Sequence, residues 1–274
     1  MMQSGLARNS FDTIRSKLCK YQGGKVLLQK DVNTGVAQII LDHPEKCNAF
    51  SGQMMVDLRD CVETLERWDV GKGVVVTGTG PAFCSGGDLD FAKVSTPQDG
   101  LDMSVWMQDA LVRLQNLPLV SCCLVHGASL GGGSELSVFC DYIVAADDVK
   151  YGFVQGKMGI TTAWGGGSRL QQRVGPKKAL DLMLTCKLMN AEECVKADLI
   201  DTVVSSGNAL EETMTWFSNK LQLECEVIRA IKTIINNSQF YSYEKSFVME
   251  RDIFAPFWGG PINKNILVKN LKHL

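Results

Sequence analysis

Between residues 126 and 142 the chain reads HGASLGGGSELSVFCDY: three consecutive glycines, one serine, then a lone carboxylate, Glu135. Consecutive glycines cost conformational entropy, and what they gain is sharp turning or close approach of another group to the main chain. A second stretch, PAFCSGGDL over 81–89, sets Ser85, Gly86, Gly87, Asp88 and Leu89 after a hydrophobic run in the same manner. Each run opens into a helix-like stretch, and a helix N-terminus offers unpaired N–H groups and a partial positive charge. Two such termini aimed at one point would form an oxyanion hole, in which each donor is worth about 3–4 kcal/mol of barrier. The same glycines would also serve if they only let helix and strand pack closely.

Other chemistries fit less well. GTGPAF has Gly78 and Gly80 but Phe83 where a dinucleotide-binding loop needs its third glycine. There is no phosphate-cradling Gly-x-x-x-x-Gly-Lys-Ser/Thr. Only three histidines, His43, His126 and His273, stand against a zinc site or a histidine-activated nucleophile. A formal charge of −2 and a pI near 6.0 give no electrostatic case for nucleic acid. No apolar run approaches the ~20 residues of a membrane-spanning helix, so no membrane partner is expected. Ten scattered cysteines without a Cys-x-x-Cys pair read as reduced thiols of an intracellular protein. In residues 1–25, five basic residues face one acid, Asp12, which reads as a flexible segment. That basicity leaves a mitochondrial address beside the cytosolic one.

The elements that must position these loops follow from periodicity. Residues 26–30 and 36–41 read as strands joined by the turn DVNTG. A helix is expected over 51–68 with Ser51 as its N-cap, then a β-branched strand over 73–78. A helix over 101–116 and a buried strand over 118–125 lead into the glycine triplet, and YIVAA and KYGFV flank an Asp-Asp turn. Beyond 176, helical patterns dominate at 176–188, 191–199, 207–224 and 226–237. The chain is thus expected to be α/β, with a core over 26–200 and a helical region over 201–274.

The blocks PAFCSGGDL, GASLGGGSELSVFCDY (127–142) and MGITTAWGGGSRL (158–170) resemble the three signature blocks of the crotonase, or enoyl-CoA hydratase/isomerase, superfamily. The likeness runs from about residue 26 to the C-terminal helices. It implies a crotonase-like spiral of ββα units, a C-terminal trimerisation region giving a homotrimer or homohexamer, and an acyl-CoA thioester held in the oxyanion hole. By motif position, the resemblance makes the backbone N–H groups of Ser85 and Gly132 the two donors. Gly86, Gly87, Asp88, Leu89 and Gly131 would flank them, while Asn48, Ala49 and Phe50 would line the coenzyme A path. Coenzyme A enters as part of the substrate, and neither a metal nor a separate cofactor is implied.

Hydratases of that superfamily carry two glutamates. Glu135 matches the first, but the second falls at Gln155, and a glutamine neither holds nor releases a proton. Addition of water is therefore disfavoured, and an isomerase would lose its base too. Trp164 in GITTAWGGG, and Trp258 in ERDIFAPFWGGPINKNIL, resemble a decarboxylating branch acting on ethylmalonyl-CoA and, less readily, methylmalonyl-CoA. Loss of CO2 needs the departing carboxylate perpendicular to the thioester plane, a hole for the enolate and a dry pocket, but no general base. On this reading Glu135 positions the carboxylate or protonates the enolate, with its pKa raised by burial; a helix-surface acid is the plainer alternative. Gln155 would bond substrate or water, and Trp164 and Trp258 would shape the acyl pocket unless they are core packing. Lys93 would meet a coenzyme A phosphate or simply stay solvated. Two further readings remain: a 2-enoyl-CoA hydratase or isomerase, and a non-catalytic binding protein on the same fold.

Overall fold

The computed structural model describes residues 9–270. Its first helix, α1 (Phe11–Leu18), starts at Ser10, whose hydroxyl caps the Thr13 N–H, and buries Ile14 and Leu18. Phe11 packs on Trp106, and the Arg59 guanidinium lies 4.9 Å over the same indole. From Phe11 onward, then, the segment expected to be flexible is docked, because its apolar residues at helical spacing have a surface to bury. Residues 1–8 of that segment lie outside the described residues.

The hairpin forms as its turn dictates: β1 (Lys25–Asp31) and β2 (Val36–Asp42) pair antiparallel, Lys25 opposite Asp42 and Asp31 opposite Val36. Ser51 caps α2 (Gly52–Glu66) by accepting from the Met54 N–H. There follow β3 (Gly73–Gly78), α3 (Leu89–Val94), α4 (Pro97–Asn116), β4 (Val120–Val125), β5 (Ala128–Leu130) and α5 (Gly132–Ser137). Next come β6 (Tyr142–Ala146), β7 (Lys150–Gly152), α6 (Gly166–Val174), α7 (Pro176–Thr185), α8 (Ala191–Lys196) and β8 (Thr202–Val204). The chain closes with α9 (Ala209–Ser218), α10 (Cys225–Phe240), α11 (Tyr243–Phe254) and α12 (Pro261–Asn270).

The main sheet has the order β1-β2-β3-β4-β6-β8, parallel from β2 onward. Both its faces are covered, as a parallel sheet requires. Val74, Val76 and Cys123 join a large cluster with α1, α2 and α4, whereas Val75, Cys122 and Val144 pack on Phe217 of α9, Ile228 of α10 and Leu221 between those helices. YIVAA and KYGFV do not pair with each other. Both edges of β6 are taken by β4 and β8, so β7 instead pairs parallel with β5 in a small second sheet. That sheet carries the glycine triplet.

Candidate active site

The two glycine loops run side by side. Cys84 donates its N–H to the Ala128 carbonyl at 3.0 Å and accepts from the Leu130 N–H at 2.9 Å, a parallel bridge that continues the β5 pairing. Gly86, at φ +108°, turns the first loop against the second: a Cβ there would stand 3.1 Å from the Gly132 nitrogen. A side chain at 86 would therefore cover that N–H. The start of α5 is held by the Gly131 N–H on the Gly152 carbonyl, and by the Ser134 hydroxyl on the Ser129 and Gly152 carbonyls.

Of the two donors expected, the structure keeps one. The Ser85 N–H donates to the Cys47 carbonyl at 2.9 Å, so it faces away from the site and is already used. Phe50 clamps the next segment, donating to the Gly86 carbonyl at 2.8 Å and accepting from the Asp88 N–H at 2.9 Å. In a bridge of this kind the intervening residue turns its own N–H to the opposite side. Among the described residues no carbonyl accepts from the Gly87 or Gly132 N–H. The pair able to receive a developing oxyanion is Gly87 with Gly132, and Ser85 is corrected accordingly. The left-handed turn at Gly86 makes the difference, and only the glycine doublet signalled it.

Glu135 is 3% exposed, the buried acid the loop pattern called for. Its Oε1 accepts from Gln155 Nε2 at 2.9 Å and from the Ala163 N–H at 3.3 Å. Its Oε2 accepts from the Trp164 and Gly166 N–H groups, both at 2.9 Å. Burial raises the carboxyl above its ordinary pKa, while these four donors pull the other way. A carboxylate offers about four lone-pair sites. All are occupied, so Glu135 has no free atom for a substrate carboxylate, and its three main-chain partners can only donate. Its visible work is to fasten the 163–166 loop onto α5. Gly166 packs so tightly there that a Cβ would come within 2.4 Å of Glu135 Cγ.

That loop carries Trp164, which is buried and meets Phe50 edge-on at 5.6 Å between ring centroids. A Cβ on Gly132 would stand 2.6 Å from its indole, so the ring lies directly over the donor glycine. Gln155 is 6% exposed and sits beside Gly131, with its Oε1 buried and without a hydrogen-bond partner among the described residues.

The remaining expected residues divide. Asn48, at φ +56°, is a brace rather than a wall of the substrate path: its amide accepts from the His43 N–H and donates to the Thr79 and Ala82 carbonyls. Ala49 and Phe50 are buried beside it. Asp88 caps α3 through the Asp90 N–H and holds Lys46 at 2.8 Å, whereas Leu89 is exposed. Lys93 pairs with Asp90 on the surface. Trp258 does not join the site. It is 76% exposed, stacks on Phe254, and lines an apolar groove between α10, α11 and α12. The glycines after it lie in the turn between α11 and α12, so the tryptophan reflects the C-terminal surface rather than an acyl pocket within this chain.

Comparison with known proteins agrees with this geometry. The family model described as enoyl-CoA hydratase/isomerase matches residues 31–258. The chain is 37% identical over 263 residues to the ethylmalonyl-CoA decarboxylase of Xenopus laevis, covering 95% of this chain and 88% of that protein. It is also 37% identical over 266 residues to the ethylmalonyl-CoA decarboxylase of Danio rerio, with 95% and 88% covered. Among solved structures, an enoyl-CoA hydratase subunit from Geobacillus kaustophilus superimposes with a TM-score of 0.81 at 28% identity, covering 90% of this chain and 95% of its own. With its paired glycine loops, its ββα order and these matches, the chain belongs to the enoyl-CoA hydratase/isomerase family.

Proposed function

We propose that this protein decarboxylates ethylmalonyl-CoA, and methylmalonyl-CoA less readily, to the corresponding acyl-CoA through an enolate held by the Gly87 and Gly132 N–H groups. The observation that carries the reading is the pairing of two free donors with the lack of an acid–base pair. Gln155 stands where a second carboxylate would be, and Glu135 is fully occupied by its loop. Such a site can stabilise negative charge on a thioester oxygen but is poorly equipped to activate water for addition. The substrate carboxylate, turned out of the thioester plane, loses CO2 as its electron pair moves into the carbonyl. Trp164 keeps that centre dry, which favours neutral CO2 over a poorly solvated anion. The names of the relatives support the same chemistry.

Coenzyme A enters on the substrate, and the reaction as written calls for neither metal nor biotin. Cytosolic residence and assembly as a trimer or hexamer complete the reading. The apolar face around Trp258 supports assembly, because contiguous exposed apolar area marks an interaction surface. The deciding experiment offers the purified protein ethylmalonyl-CoA and crotonyl-CoA side by side. CO2 release from the first with no hydration of the second is expected. Hydration of crotonyl-CoA without CO2 release would replace this reading with a hydratase.

A further inference from the structure

After CO2 leaves, the enolate must receive a proton on its α-carbon, and the structure indicates where that proton comes from. Glu135 is a poor source. Both its oxygens accept from main-chain N–H groups that cannot reverse roles, so the ionised form is the one this cage fits. The same fact orients the neighbouring amide: Gln155 must present Nε2 to Glu135, at 2.9 Å, and turn Oε1 away. That oxygen is a buried acceptor with no partner among the described residues, and its amide carbon is the nearest heavy atom, 3.9 Å, to where a Cβ on Gly131 would stand. Gly131 directly precedes the donor Gly132. A buried acceptor without a partner costs free energy, and a bound water is the smallest group that relieves it.

Building on the decarboxylase reading, we propose that Gln155 Oε1 holds the water molecule that protonates the enolate, and that Glu135 acts only as the positioning residue that fixes the amide. In the first step the bond from the α-carbon to the carboxylate breaks, its electron pair enters the thioester enolate, and CO2 departs. In the second, one O–H bond of the water breaks and a C–H bond forms at the α-carbon. The hydroxide left behind carries off the negative charge that the carboxylate brought in. One hydrogen of the water is engaged by Gln155, so the other reaches the enolate from one face only.

The consequence is stereochemical. Ethylmalonyl-CoA turned over in D2O gives an acyl-CoA deuterated at C2, whose configuration reports the face of delivery by NMR after derivatisation. The native protein is expected to give one configuration. Gln155→Leu removes the acceptor while keeping similar bulk, and the CO2 it releases is expected to be accompanied by both configurations in equal amounts. Should that variant fail to fold, Gln155→Met removes the acceptor in a flexible side chain and carries the same expectation. A single, unchanged configuration from either folded variant overturns the proposal, as does a mixture from the native protein. Absence of CO2 release from the native protein would instead sink the decarboxylase reading itself, so the two failures are told apart.

Discussion

Glu135 shows how one side chain can be central to a site without touching the reaction. It fastens the 163–166 loop to α5, and through Trp164 it sets the roof over Gly132. In Glu135→Gln one amide N–H must confront main-chain donors, so a loss of about 1–3 kcal/mol is expected in urea unfolding. The pH dependence has a definite sign. With its folded pKa raised above the ordinary carboxyl value, the native state binds the proton more readily than the unfolded chain does. Stability therefore falls as pH rises from the unfolded pKa to the folded one, and Glu135→Gln should flatten that decline. Unfolding curves across the acid range that keep the same slope would refute this. At Gly132 the expectation is kinetic: Gly132→Ala drives a methyl group into the Trp164 ring, shifts the donor, and should lower kcat by about 100-fold or more. Rapid-quench measurement of CO2 release checks it. Glu135, Gln155 and the glycine triplet could be found in the sequence because residue type announces their chemistry. The second donor could not, because whether Ser85 or Gly87 turns its N–H inward depends on the φ of +108° at Gly86.

At the level of elements, caps and buried charge carry the testable energetics. Ser51 both caps α2 and donates to the Gly23 carbonyl, so Ser51→Ala should cost about 0.5–2 kcal/mol, seen as a lower thermal midpoint. Lys232 of α10 is buried and pairs with Asp141, whose other oxygen takes the Ser121 N–H and hydroxyl between β4 and β6. Lys232→Met would strand that carboxylate. Because Asp141 retains some contact with solvent, a loss near the low end of the usual range, about 3 kcal/mol, is expected by chemical denaturation. The strands were legible because VVVT (74–77) is a β-branched run and CCLV (122–125) an apolar one, and α2 because Ser51 precedes an amphipathic pattern. The β5·β7 pairing was not, since it depends on both edges of β6 already being filled. Nor were α11 and α12 assigned: their apolar residues face outward, without the one-sided pattern of a core helix.

For the whole molecule, that outward face bears on assembly. Phe247, Phe254 and Trp258 line one groove with Ile231 and Ile234 of α10. If neighbouring copies cover it, Trp258→Glu should reduce a trimer or hexamer to monomers in sedimentation velocity, while an unchanged sedimentation coefficient would exclude the groove from the interface. Another property lies in the order of the main sheet, where β1, β2, β3, β4, β6 and β8 occupy adjacent places in the sequence in which they occur. Each new strand can dock on one that the ribosome has already released, so the platform can grow during translation without waiting for distant partners. The acid's clasp on Ala163, Trp164 and Gly166 follows β6 and precedes β8, once the chain has emerged past α6. A truncated nascent product ending before that point would own five of the six strands of the main sheet and no working centre.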